Sequence, residues 1–124
     1  MLSLGRAYGR LHAVDVSDLA HPRLVAWYEA EDGGTHNVWV AGDTLYLGDY
    51  QGGLRVIDVS GELMGDLMAQ GREIAHVHTG DSQGHTPNVA NAWGAIYRNG
   101  LIYVPDMNSG LWIVRLEPKP EAIP

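Results

Sequence analysis

Apolar residues in this chain come in short runs, each closed by glycine or a small polar side chain. In residues 35–60 the runs are Val38-Trp39-Val40, Leu45-Tyr46-Leu47, and the group Leu54, Val56, Ile57 and Val59. Ala41-Gly42-Asp43 separates the first two runs and Gln51-Gly52-Gly53 the second and third. Glycine suits those breaks because a tight hairpin turn needs a residue that tolerates positive φ. The pattern predicts three short strands joined by two turns. Polar and apolar residues do not alternate along them, so both faces of these strands are expected to be covered.

The same pattern recurs. Residues 93–117 superpose on the first unit when Leu111 is laid over Leu54. Tyr103 then falls on Tyr46, Asp106 on Asp49 and Gly110 on Gly53, and Ile102, Val104, Ile113 and Val114 replace Leu45, Leu47, Val56 and Ile57 like for like. A partial third copy opens the chain, where Leu11-His12-Ala13-Val14-Asp15-Val16-Ser17 matches Leu54-Arg55-Val56-Ile57-Asp58-Val59-Ser60. Short strands repeating after 43 residues and then, across an insert, after 57 point to propeller blades, which pack face to face and so cover both faces of each strand. The predicted fold is all-β, a partial propeller of two to three blade equivalents, each blade a four-stranded antiparallel meander.

Between the copies, residues 23–30 and 73–79 read as outer strands. Residues 61–71 break the pattern: Ser60 can cap a helix and Leu63, Met64, Leu67 and Met68 fall on one helical face, so a short helical insert is predicted there. Residues 80–92 form a polar loop before the last three strands, at about residues 93–97, 101–104 and 110–116. Residues 2–9 resemble a strand remnant, and residues 118–124, with three prolines, an extended tail. The expected division is a partial blade at 1–34, a complete blade with its insert at 35–79, a final partial blade at 80–117 and the tail at 118–124.

Composition narrows the function classes. A formal net charge of −7 argues against a nucleic-acid groove. No cysteine is present, which removes disulfides, thiolate catalysis and cysteine zinc sites. No apolar run is long enough to span a bilayer. The first residues lack the plan of a secretory signal.

The phrases ending in Asp58-Val59-Ser60 and Asp15-Val16-Ser17 resemble the LVIVD repeat family of bacterial and archaeal β-propellers, whose unit resembles H-[DN]-V-x-V-x-G-x-x-x-Y-x-x-D-x-x-x-G-L-x-V-x-D-V-S. His36, Asn37, Val38, Val40, Gly42, Tyr46, Asp49, Gly53, Leu54, Val56, Asp58, Val59 and Ser60 match it. The second unit departs: Trp93 stands for the histidine, Gly94 for the Asp/Asn, and Arg115-Leu116-Glu117 for Asp-Val-Ser. Such a departure resembles a final blade. The resemblance implies an exported or cell-surface setting; the residues themselves leave the compartment unknown. A propeller closes with four or more blades. The chain is therefore expected to be a C-terminal portion of a longer propeller or to assemble with identical chains.

Candidate chemistry is sparse. By the resemblance, His36 opens an innermost strand near the mouth of a central channel, where a ring of such residues could hold a metal or anion. The plainer reading is that His36 bonds backbone while His12, His21, His76, His78 and His85 face solvent. Asp106-Met107-Asn108-Ser109-Gly110 imitates half a calcium loop, but a strand follows it, so a turn is expected. Asp15 and Asp58 occupy one repeated slot, which suggests turn bonding in each blade rather than a catalytic pair. Trp27, Trp39 and Trp112 lie in covered strands and are expected in the core; Trp93, after the polar loop, could stack a ligand. No phosphate loop, nucleophile elbow or redox motif appears, and no cofactor is implied. The expected function is a non-enzymatic interaction scaffold presenting His36, Asn37, His85, Asn88 and Trp93 to a protein or glycan, with no nucleic acid and no membrane span. The alternatives are part of a metal-dependent propeller enzyme with its site at the channel mouth, or a truncated reading frame without independent function.

Overall fold

A computed structural model describes residues 7–118. The expected remnant at residues 2–9 and the tail at 118–124 lie largely outside them, and residues 7–9 carry no strand. Among the described residues there is no helix and there are ten strands: β1 (Leu11–Asp15), β2 (Arg23–Tyr28), β3 (Asn37–Ala41), β4 (Thr44–Gly48), β5 (Leu54–Asp58), β6 (Gly65–Asp66), β7 (Glu73–Val77), β8 (Ile96–Arg98), β9 (Leu101–Asp106) and β10 (Gly110–Val114). They form three sheets, ordered β1-β2-β6, β3-β4-β5-β7 and β8-β9-β10. The middle sheet is a four-stranded antiparallel meander. Its first hairpin turns at Gly42 with φ +58°. The β8–β9 hairpin turns at Asn99-Gly100, both at positive φ, the conformation a two-residue turn needs to match strand twist.

The sheets stack in chain order, as a sector of propeller blades does. On one face of the middle sheet, Leu45, Leu47 and Ile57 pack against Ala26 and Tyr28 of the first sheet. On the other, Tyr46, Leu54 and Val56 meet Ala92, Ala95, Ile102 and Val104 from the last sheet and its approach. Tyr46 and Tyr97 stack across this junction with centroids 5.2 Å apart. Leu47, Leu54, Val56 and Ile57 are all at most 1% exposed, which makes each worth about 1.5–3 kcal/mol of apolar burial.

Two expectations fail locally. The helix predicted within 61–71 is absent. Instead Gly65 and Asp66 form β6, which pairs parallel with β2 through Ala26 and Trp27 and so covers the outer edge of the first sheet. Gly65 takes φ +74° and the Asp66 carboxylate accepts the N–H groups of Met68 and Ala69, closing a turn where a helix would have continued. Leu67 is still buried against the first junction, with Leu63 beside it, while Met64 and Met68 are exposed. Nor is β3 covered on both faces: Val38, Trp39 and Val40 are 38%, 44% and 56% exposed. Val38 and Val40 point the same way as Leu47 and Leu45. By the repeat alignment, β1 and β2 occupy the third and fourth positions of a blade. Among the described residues the first sheet has no inner strand to lie over them.

Candidate functional site

The inner end of the junction between the middle and last sheets holds an open cleft of about 510 Å³. Its walls are built by β3 and its entry on one side and by residues 93–96 and Pro105 on the other. The walls approach closely because Gly48 carries no side chain toward the Gly94 backbone. A Cβ on Gly48 would lie 2.2 Å from the backbone nitrogen of Gly94. His36 is then held from several directions. Its backbone N–H donates to Gly48 O at 3.0 Å, and its Nδ1 lies 2.5 Å from the carbonyl oxygen of Trp93. The imidazole stands edge-on to Tyr50 and tilted to Trp93, with centroids 4.7 and 5.1 Å away. Trp93 donates its backbone N–H to Pro105 O and its indole N–H to the Asn91 side chain. Both indoles of the cleft, Trp39 and Trp93, remain more than two-fifths exposed. Asn37 is exposed beside them and spends its side-chain oxygen on the N–H of Val38.

His36, Asn37 and Trp93 thus come together, and Trp39, expected in the core, joins them. His85 and Asn88 do not line the cleft. They lie in the loop after β7, where the backbone N–H of His85 donates to Asn108 O and that of Asn88 to Asp81 O. Asn88 sits at φ +63°. Of the other histidines, His21 contacts the Asp18 carboxylate, His76 the carbonyl of Gly52, and His78 accepts the N–H of Gly80. Among the described residues no group of three or more His, Asp or Glu side chains is placed to hold a metal ion.

Asp15 and Asp58 each accept the N–H of the serine two residues on, at 2.9 and 2.8 Å. These bonds hold both carboxyls below their ordinary pKa: the Ser17 backbone N–H leads at Asp15, brought to about 2, and the Ser60 side chain, then its N–H, at Asp58. Asp106 closes the expected turn by accepting the N–H groups of Asn108 and Ser109. It also takes the Thr79 hydroxyl and the Asn91 N–H from across the loop. Burial pushes its pKa up, but the Thr79 hydroxyl and the three N–H donors outweigh that and hold it low.

A buried ionic cluster was not anticipated. Arg55, 4% exposed, reaches Asp49, Glu73 and Asp32 at 2.9, 2.9 and 2.5 Å. Tyr28, fully buried, donates its hydroxyl to the same Glu73. Asp49 is 1% exposed and wedged so tightly that a Cβ on Gly33 or Gly52 would fall 1.7 or 2.4 Å from its Oδ2. Burial drives its pKa up to about 6, against the pull of Arg55. A signal existed in the sequence. A strand expected to be covered on both faces cannot carry a lone arginine, so Arg55 required buried acids nearby.

Residues 7–30 and 32–62 match the family model described as the LVIVD repeat. Two stretches of this chain are LVIVD repeats. The first spans β1 and β2, and the second runs from before β3 to past β5. The unit at residues 93–117, with Trp93-Gly94 in place of His36-Asn37, lies outside both LVIVD matches. No curated protein matches the chain, and no solved structure does.

Proposed function

We propose that this LVIVD-repeat chain is a non-enzymatic interaction scaffold whose cleft between β3 and residues 93–96 takes an extended apolar segment of a protein partner. Residues 1–34, 35–79 and 80–117 serve on this reading as one partial, one whole and one three-stranded blade. The open blade faces are covered by further blades or by identical chains.

The observation that carries the reading is the pair of half-exposed indoles, Trp39 and Trp93, facing an open cleft beside the exposed edge residues Val38 and Val40. Large amphipathic rings held by hydrogen bonds and neighbouring backbone supply contact area at low entropic cost. The free edge of an inner strand offers main-chain groups to an extended peptide, and pockets beside it read alternate side chains. His36 is committed to the Trp93 carbonyl through Nδ1, so it serves to fix the wall of the cleft.

Probing peptide and glycan arrays with the purified chain and with Trp93→Ala tests this. Peptide binding by the wild type that the variant loses is the expected result. Binding to glycans alone would assign the cleft to sugar stacking. Binding that survives both Trp93→Ala and Trp39→Ala would remove the cleft from the interaction.

A further inference from the structure

The repeat register makes the two internal junctions a template for the open faces. The face of the middle sheet that meets the last sheet carries Tyr46, Leu54 and Val56, at 5%, 1% and 1% exposure. The matching slots of the last sheet hold Tyr103, Leu111 and Ile113. Ile96, Tyr103 and Ile113 form one cross-strand row, with Leu111 beside it. Here Leu111, Ile113 and Ile96 are 63%, 54% and 47% exposed. The opposite face of the same sheet, with Ile102, Val104 and Trp112, is already packed on the middle sheet. One sheet therefore has one used junction face and one unused junction face, with the same slots filled by the same kind of residue.

The complementary open face lies at the other end of the stack. Leu11, Ala13 and Ala26 of the first sheet pack inward. Its reverse carries His12 opposite Trp27, and Val14 opposite Leu24. His12 and Val14 stand in the slots of Arg55 and Ile57, which belong to the covered reverse face of the middle sheet. Val14 and Leu24 are 50% and 57% exposed.

We propose that the outer face of the last sheet, through Ile96, Leu111 and Ile113, docks on the reverse face of the first sheet, through Val14, Trp27 and Leu24, of a second copy of this chain. The junction repeats, between chains, the packing already made twice within one. It is heterologous, so each copy presents one donor face and one acceptor face, and a closed ring satisfies all of them. A second copy is the occupant argued for because both halves of the missing junction are present and uncovered on the same chain. The proposal rests on the blade reading above; Ile96 also lines the cleft, so the variants below leave it unchanged.

Sedimentation velocity over a wide concentration range, with near-ultraviolet circular dichroism to certify the fold, tests it. The wild type should form a discrete oligomer. Leu111→Glu with Ile113→Glu should be monomeric, and so should Val14→Glu with Leu24→Glu. Mixing the two variants should restore a one-to-one dimer, because each keeps one intact face. The threonine versions, Leu111→Thr with Ile113→Thr and Val14→Thr with Leu24→Thr, serve if a glutamate pair disturbs the spectrum. A monomeric wild type at every concentration overturns the proposal. A variant that self-associates as well as the wild type, or a mixture that stays monomeric, overturns the head-to-tail geometry. Peptide binding at the cleft, read on the same samples, reports separately on the proposed function.

Discussion

Replacing Arg55 by methionine removes the cation from the first junction while keeping much of its volume. Three carboxylates lose a donor, but they do not lose equally. Asp32 is mostly exposed and rehydrates, and Glu73 keeps the Tyr28 hydroxyl. Asp49 is left 1% exposed, wedged between Gly33 and Gly52, with its one charged partner gone. Breaking a buried pair from one side costs about 3–5 kcal/mol, a large share of the roughly 5–15 kcal/mol that holds a domain together. The acidic range supplies a second handle. With a folded pKa of about 6 against an ordinary 3.8, the Asp49 carboxyl favours the fold most below its unfolded value and loses that contribution as pH rises through 6. Without Arg55 its pKa climbs further. The deficit of Arg55→Met should therefore be largest near pH 8 and shrink toward pH 5, where Asp49 is protonated. Adding Asp49→Asn should recover part of the loss at pH 8. Urea unfolding of the wild type and both variants at the two pH values measures this. A deficit below about 1 kcal/mol at pH 8, or one that grows on acidification, would refute the account of Asp49 as the stranded charge.

Other substitutions probe other joints. Gly48→Ala should destabilise by about 1–3 kcal/mol, since its methyl must displace the Gly94 backbone, and it should alter Trp93 fluorescence as the cleft walls part. Thr79→Val removes a buried donor from the ionised Asp106 and should cost about 1.5–3 kcal/mol at neutral pH. Because Asp106 has a lowered pKa, its stabilisation is present above the unfolded value and lost as pH falls through the folded one. The Thr79→Val deficit should therefore narrow in strong acid, as acid titration of stability will show. Leu67→Ala should cost about 2–5 kcal/mol by denaturant melt, despite lying in a turn, because the side chain is 1% exposed in the first junction.

The repeat was legible because blade strands are specified by short apolar runs and turn residues, both local in sequence. The Tyr46/Tyr103 and Leu54/Leu111 registers survive into the sheets. The insert was misread because Leu63 and Leu67 at helical spacing are equally compatible with a loop that buries two side chains. What decided the outcome was the unpaired edge of β2, a partner 39 residues away in sequence, and Gly65 at positive φ. β3 was misread for the converse reason. Its residues are those of a covered strand, but cover is supplied by a neighbouring sheet, and the first sheet stops short of it.

The cleft shows where repetition ends and chemistry begins. At the entry to the inner strand, His36-Asn37 in one unit becomes Trp93-Gly94 in the next. Gly48, having no Cβ, lets the Gly94 backbone approach; that approach brings the Trp93 carbonyl onto His36 Nδ1, and the Trp93 ring is left tilted against the imidazole with one side open. The slot of His12, Arg55 and Trp112 behaves likewise. Arg55 gathers Asp49, Glu73 and Asp32, Trp112 bonds the Ser109 hydroxyl, and His12 faces outward on the uncovered side of the first sheet. Slots that vary between copies meet different surroundings in each blade, whereas Asp58 and Asp15 make the same bond to the serine two residues on and stay alike. In a repeat protein a change of residue type at a fixed slot therefore marks where one blade's environment differs from the next. Here such changes fall on the cleft wall, the buried ionic cluster and the open reverse face of the first sheet, where His12 stands in the slot of Arg55.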